Sequence, residues 1–472
     1  MAYSGLLGQR RRRLHAAIVD ALERLHADRL GEQVELLAHH ATRGEAREKA
    51  VRYLRQAGAK AVARSANREA VGFFQQALTL LEELPQTTET LADSLDACVA
   101  LGPALLALKG ASSLEVEAVY LRARDLVDRL GDATRRFPVF WGLWYVTYSR
   151  GQYPAAWEAG ERLLEATRSG EDTGRLLEAH HALWATLTAM GQPTKATVHM
   201  ERGIALYDRE RHASQAFLYG GHDPGACCRY QLALNRWLLG HPDRALATLH
   251  DAQSLAEELK HPLTTVITLW VSAWMHHQRG EREATVAISE RLISLTREHG
   301  FSTWEDAAIV LLPTARGAPL EPPALADMHR RLVATRGAIW RHVFCLCVLA
   351  ELYADGGHAE EGLRVLASIA EDDRRAFYAP EVHRIEGELL LRRSEPGTDD
   401  AEQCFRRAIE LARSRAEKSL ELRAATSLAR LLGRRGKREE ARGALGPVYG
   451  WFTEGFDTAD LKAAKALLDE LA

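Results

Sequence analysis

A chain of 472 residues is longer than one closed hydrophobic core usually organises, so either several domains or an open-ended repeat stack is required. A formal charge of -3 with 26% charged residues lacks the excess of a general nucleic-acid binder, and no nucleic-acid partner is expected. Six cysteines without a CxxC spacing argue against a disulfide framework and fit a reducing, cytoplasmic compartment.

In the N-terminal string MAYSGLLGQRRRRLHAAIVDAL the apolar stretch is broken by His15 and Asp20 and ends without a small-residue cleavage site, so no signal peptide is read. No run in the chain is expected to reach the length of a membrane span, and no membrane partner is expected. Arg10 to Arg13 open an amphipathic helix whose apolar face should be Leu14, Ile18, Leu22 and Leu25, which makes the arginines a solvated edge or a contact for phosphate or an acidic partner.

From Gly110 onward a glycine recurs about every forty residues, at Gly151, Gly191, Gly240, Gly280, Gly317, Gly357, Gly397 and Gly436. In the clearest copies an alanine follows five positions later: Ala156, Ala196, Ala245 and Ala441. Such self-similarity marks a stacked repeat array. Apolar residues at helical spacing flank each glycine, so each period reads as helix, tight turn, helix. Glycine supplies the left-handed conformation that ends the first helix, and the small alanine lets the two helices approach closely.

The interval between Gly191 and Gly240 is stretched to 49 residues and contains Tyr219-Gly220-Gly221-His222-Asp223-Pro224-Gly225, which cannot continue a helix. His222 and Asp223 are either polar contacts at the mouth of a groove or an Asx-type turn capping the next helix. Between residues 300 and 340 the string PTARGAPLEPPA makes one repeat degenerate. The chain should end in an amphipathic helix over residues 458–472, N-capped by Asp457 or Thr458, with Asp460 favourable to its dipole.

This pattern resembles the tetratricopeptide repeat. Landmark positions match at Leu54, Ala57, Gly58, Ala70, Phe74 and Ala77, and again at Ala425, Leu428, Ala429, Leu432, Ala441, Leu445 and Val448. Periods nearer forty than the usual thirty-four imply longer helices, as in sensor domains of the maltose-operon activator family. The strings ELLAHHATRGEAREKAVRYLRQAG, YGGHDPGACCRYQLAL, KSLELRAATSLARLL and YGWFTEGFDTADLKAAKALLDELA further resemble the C-terminal repeat region of bacterial multidomain signalling proteins. In those, an AAA-type ATPase, often preceded by a class III adenylate or guanylate cyclase, is followed by helical repeats. The resemblance implies a right-handed α-α superhelix of about nine or ten hairpins. Residues 1–47 would be a junction after a missing ATPase module, 48–218 and 226–457 two parts of the solenoid, 219–225 an inserted loop, and 458–472 a cap.

Chemistry is sparse. There is no GxxxxGK[ST] loop, no HExxH and no nucleophile elbow, so no enzymatic activity and no cofactor are expected of this chain; catalytic domains upstream remain the alternative. His39–His40, His180–His181, His276–His277 and Cys227–Cys228 are adjacent pairs, diverging by about 100° around a helix, so no metal site is read from them. Cys345 and Cys347 point to nearly opposite faces. The repeat register implied by the resemblance turns Trp141, Tyr145, Tyr148, His181, Tyr230, Trp237, Trp270, Trp274 and His277 toward the concave face. They form either an aromatic binding stripe or packing between successive turns. The function expected is a non-catalytic sensor or interaction scaffold with a protein or peptide partner, or else a small-molecule sensor using the stripe for a sugar or nucleotide-like effector.

Overall fold

The computed structural model describes residues 8–110, 113–168, 170, 172–317, 320–334, 339–393 and 397–472. Residues 1–7 of the N-terminal string and Ala318–Pro319 of the degenerate repeat lie outside them. The described residues are helical throughout, with no strand. Contacts divide the chain into two compact units: residues 1–146 with 214–221, and residues 147–213 with 222–472. The sequence expectation put the break at the 219–225 loop.

The first unit holds α1 (Gly8–Leu25), α2 (Val34–Arg43), α3 (Arg47–Ala63), α4 (Asn67–Glu82), α5 (Thr88–Lys109), α6 (Leu114–Leu130) and most of α7 (Ala133–Ser149). Val19, Leu37, Tyr53 and Leu54 join the first helices, and Phe74, Leu101, Tyr120 and Val139 build the core beyond them. Tyr120 fits only because α5 and α7 carry glycines where it lies: a Cβ on Gly142 would meet its ring at 2.0 Å and one on Gly102 its hydroxyl at 2.5 Å.

Two expectations change here. On α1 the buried positions are His15 and Val19, whereas Leu14 and Leu25 are 47% and 77% exposed and Ile18 is exposed too. The ring of His15 lies 4.9 Å from that of His40 on α2, with Nδ1 atoms 2.7 Å apart, so a histidine pair shares the inward face with Val19, and of the leucine row Leu22 is the member that packs against the core. The arginine edge faces outward, with Arg12 paired to Glu45 at 2.9 Å. Second, α5 does have the length and apolarity of a membrane span, with a mean hydropathy of 1.6 over an 18-residue window. Most of that window is buried against neighbouring helices, so its apolar residues serve the core.

The second unit continues with α8 (Tyr153–Glu165), α9 (Thr173–Ala189), α10 (Pro193–Leu206), a single turn α11 (Arg209–His212), α12 (Pro224–Leu238), α13 (Pro242–Leu259), α14 (Pro262–Arg279), α15 (Arg282–His299), α16 (Ser302–Arg316), α17 (Pro322–Ala334), α18 (Ile339–Asp355), α19 (Ala359–Ala367), a turn α20 (Glu371–Arg374), α21 (Ala379–Leu391), α22 (Thr398–Ser414), α23 (Lys418–Arg434), α24 (Arg438–Tyr449) and α25 (Ala459–Leu471). From α9/α10 to α23/α24 these are helical hairpins, and the degenerate repeat still forms one as α16/α17.

The glycine ladder works as its spacing implies. Positive φ angles occur at Gly151, Gly191, Gly240, Gly280, Gly317, Gly357 and Gly436. The next N–H then reaches back to the carbonyl five residues earlier, as Gln192 N does to Leu187 O at 2.9 Å and Lys437 N to Leu432 O at 3.0 Å. Ala156, Ala196, Ala245 and Ala441 are fully buried. Gly397 departs from the pattern: its φ is -83, and it caps the start of α22 instead of ending α21. At the C-terminus Thr458 is the N-cap residue of α25, but its hydroxyl donates to Gly455 O at 2.7 Å instead of capping, and Asp460 pairs with Arg423 at 2.7 Å.

Within the second unit, helices far apart in sequence meet. Ser419 Oγ donates to Trp237 O at 2.5 Å, Phe377 N to Ala189 O at 2.7 Å, and Gly455 N to Asp243 Oδ2 at 2.9 Å. Gly240 lies in this closure, where a Cβ would meet Lys418 Cβ at 2.7 Å. The first helices of the hairpins, α9, α12, α14 and α23, are consequently buried nearly all round.

Candidate functional site

The register residues fall on the helices expected, but nearly all are interior. In the first unit Trp141 is buried, stacked on half-buried Tyr145 at 5.4 Å and packed against Tyr219 at 5.3 Å. In the second, Tyr148 packs on Tyr153 at 6.3 Å. Trp270 and Trp274 are both 0% exposed and meet the Phe344 ring of α18 edge-on at 6.1 and 6.3 Å. Trp237 touches Trp274 at 5.2 Å and lies under the Arg423 guanidinium at 5.1 Å. Closure of the unit thus fills the space the stripe would have lined. Burial favours the packing alternative at these tryptophans.

His277 is different. It is only partly buried and borders a cavity of about 300 Å³ between α14, α18, α21, α23 and α25, whose lining includes Gln278, Glu351, Arg384, Arg423 and Arg430. Arg423 bonds to Asp460, to Glu381 at 3.2 Å and to the Gln278 carbonyl at 3.3 Å, while Arg384 bridges Glu351 and Glu381, each at 2.7 Å. Burial alone would raise Glu381, and the two guanidiniums outweigh it, holding its carboxyl below the usual range. Burial, with Arg423 adding to it, lowers His277 to about 4, so its imidazole is neutral at pH 7. Gln278 Oε1 and Arg384 Nε, on two of the lining residues, and Glu381 Oε2 are buried without a hydrogen-bond partner, a costly condition. Arg430 is exposed and has no ion-pair partner among the described residues, whereas Arg384 and Arg423 are committed to carboxylates. Sequence reasoning passed over these arginines. The available signal was the seven-residue spacing of Arg423 and Arg430, which sets both on one face of α23.

The loop residues are also interior. Asp223 N-caps α12, accepting from Ala226 N at 2.8 Å, and its other oxygen accepts from the Tyr207 hydroxyl at 2.9 Å. Burial pushes its carboxyl up to about 6 despite those bonds. The capping alternative is the one realised. His222 is buried against the rings of His181 at 5.2 Å and Tyr230 at 6.5 Å. His181 Nε2 lies 3.3 Å from Cys227 Sγ, and His181 Nδ1 lies 3.0 Å from the buried Glu178 carboxylate. Donor atoms of His181, His222 and Cys227 all fall within 4.8 Å of one another. Scanning adjacent pairs missed this cluster because its members come from α9, the loop and α12.

No family model matches the chain. A curated relative, an uncharacterized protein of Rhizobium meliloti (strain 1021), is 26% identical over 441 residues, covering 91% of this chain. The chain spans 42% of that relative's length. Among solved structures it is similar to a Rap protein complexed with competence and sporulation factor, with a TM-score of 0.46 and 12% identity over 89% of this chain and 99% of that one. The human IFIT1 dimer with m7Gppp-AAAA overlaps with a TM-score of 0.40 and 13% identity over 86% and 90% of the two chains. Yeast Tom70 does so with 0.33 and 12% over 94% and 96%. All are distant likenesses.

Proposed function

We propose that the chain is a non-catalytic helical-repeat recognition module that takes a peptide segment of a partner protein into the cavity beside His277. The observation that carries this is the combination of buried, unpartnered Gln278 Oε1 and Arg384 Nε with an uncommitted Arg430 at one polar opening. The lining holds both signs of charge, with Arg384 paired to Glu351 and Arg423 to Asp460. A peptide offers the matching set: carboxylates for Arg430, and amide donors and acceptors for Gln278 and the acids. The buried tryptophans leave less support for a sugar or other flat effector held by stacking.

In this reading the module regulates an ATPase- or cyclase-type signalling protein, by favouring one conformation when its partner is bound. Support comes from the four strings quoted above and from the greater length of the Rhizobium meliloti relative. Reading the encoding DNA upstream for a phosphate-loop motif tests that context directly. The site itself is tested by thermal-shift measurements with blocked acidic, basic and neutral peptides beside sugars and nucleotides, repeated on Arg430→Glu. Acidic peptides should raise the midpoint in the parent chain and not in the variant, whose own midpoint should be unchanged. A sugar or nucleotide shift that survives in Arg430→Glu would overturn the reading.

A further inference from the structure

We propose that the second unit binds a zinc-class divalent cation through His181, His222 and Cys227. The three side chains converge from different elements: His181 from α9, Cys227 from α12, and His222 from the loop that the stretched glycine interval provides. All are buried, and their donor atoms lie within 4.8 Å of one another. Zn–N bonds of about 2.0 Å and a Zn–S bond of about 2.3 Å place tetrahedral ligand atoms roughly 3.3–3.8 Å apart. His181 Nε2 and Cys227 Sγ, at 3.3 Å, already meet that spacing. The third donor reaches it with a side-chain adjustment on the order of 1 Å.

Orientation is supplied before any cation arrives. His181 stacks on Trp184 at 4.8 Å and 19°, and meets His222 edge-on at 83°. Glu178, one helical turn before His181, has Oε2 3.0 Å from the imidazole Nδ1, and in the metal-bound form an ionised Glu178 accepts the Nδ1–H so that the Nε2 lone pair faces the cation. This carboxylate–histidine relay is the arrangement that raises ligand basicity at metal centres. It also balances charge. A divalent cation, the Cys227 thiolate and the Glu178 carboxylate sum to zero, so an interior that would penalise Glu178⁻ alone accommodates the set. Binding forms one Zn–S and two Zn–N bonds and releases the Cys227 thiol proton to solvent. A water or other small donor completes the fourth position.

The alternative, a metal-free hydrogen-bonded cluster, is separated by experiment. The full chain, purified without metal-affinity resin, is assayed for bound zinc, and its metal-free form is titrated with Co²⁺ alone. About one equivalent of zinc and a thiolate-to-cobalt charge-transfer band are expected, both lost in Cys227→Ser with helicity retained. Absence of zinc together with no cobalt band in the folded parent chain, or parent-like zinc content in Cys227→Ser, overturns the proposal. Should Cys227→Ser fail to fold, Glu178→Gln takes its place. Cobalt affinity about 10- to 100-fold weaker in that variant supports the site, and unchanged affinity overturns it.

Discussion

Arg279 and Asp457, 178 residues apart in the chain, are joined by two hydrogen bonds of 3.0 and 3.2 Å. Arg279 is itself buried and also reaches Glu281 at 2.7 Å and the Pro242 carbonyl at 3.3 Å, so one guanidinium ties α13, α14 and the segment before α25. Its carboxylate partners are largely exposed, which lowers what each pair contributes. Arg279→Ala should destabilise the second unit by roughly 1–3 kcal/mol. Hydrogen exchange should accelerate at Gly455 and Thr458 before it does in α23. Uniform protection in the variant would show that the closure does not depend on this residue.

Trp274→Ala tests whether the aromatic stripe is packing. With Trp237 and Phe344 against its ring and no exposed surface, truncation should cost about 3–5 kcal/mol in a urea titration. Parent-like stability would mean that the side chain is more accessible than its burial implies.

A pH-dependent prediction concerns Glu417. Its side chain is fully buried, both carboxylate oxygens lack hydrogen-bond partners, and burial pushes its carboxyl up to about 8, with Arg415 offsetting only part. The unfolded chain ionises this group near 4.5, so the folded state, which keeps the proton, is most favoured below that pH and loses stability as pH rises toward 8. Glu417→Gln removes this slope, worth about 1.4 kcal/mol per unit of pKa difference at most. Melting midpoints of variant and parent should therefore be close at pH 4.5 and diverge, variant higher, by pH 8. A constant difference across that range would place an ionised, compensated carboxylate at this position.

Ala441→Leu probes the small residue after each ladder glycine. Ala441 is fully buried where α24 crosses α23, so added methylenes should cost about 1–3 kcal/mol. An unchanged thermal midpoint would mean the crossing has slack.

The repeat was legible because its signals are local. A glycine's positive φ and a small residue at a crossing depend only on the hairpin that contains them, and Gly240 with Ala245 shows both. The helix carrying each register residue was legible for the same reason. Their burial was not, since Phe344 and Arg423, which cover Trp274 and Trp237, are contributed by hairpins much later in the chain. On α1 periodicity favours Leu14, Ile18, Leu22 and Leu25, of which Leu22 packs inward, while the contact of His15 with α2 leaves the other three exposed. Likewise His181, His222 and Cys227 share no spacing that a scan of neighbours detects.

The assignment of residues 214–221 to the first unit, between stretches of the second, has a topological consequence. The polypeptide passes from one unit to the other at Val146, Ala213 and Gly221, so neither unit is a contiguous length of gene. A product ending at Val146 would lack Tyr219 and leave Trp141 and Phe137 without the ring that covers them. A single cut at any of these three crossings leaves at least one unit incomplete.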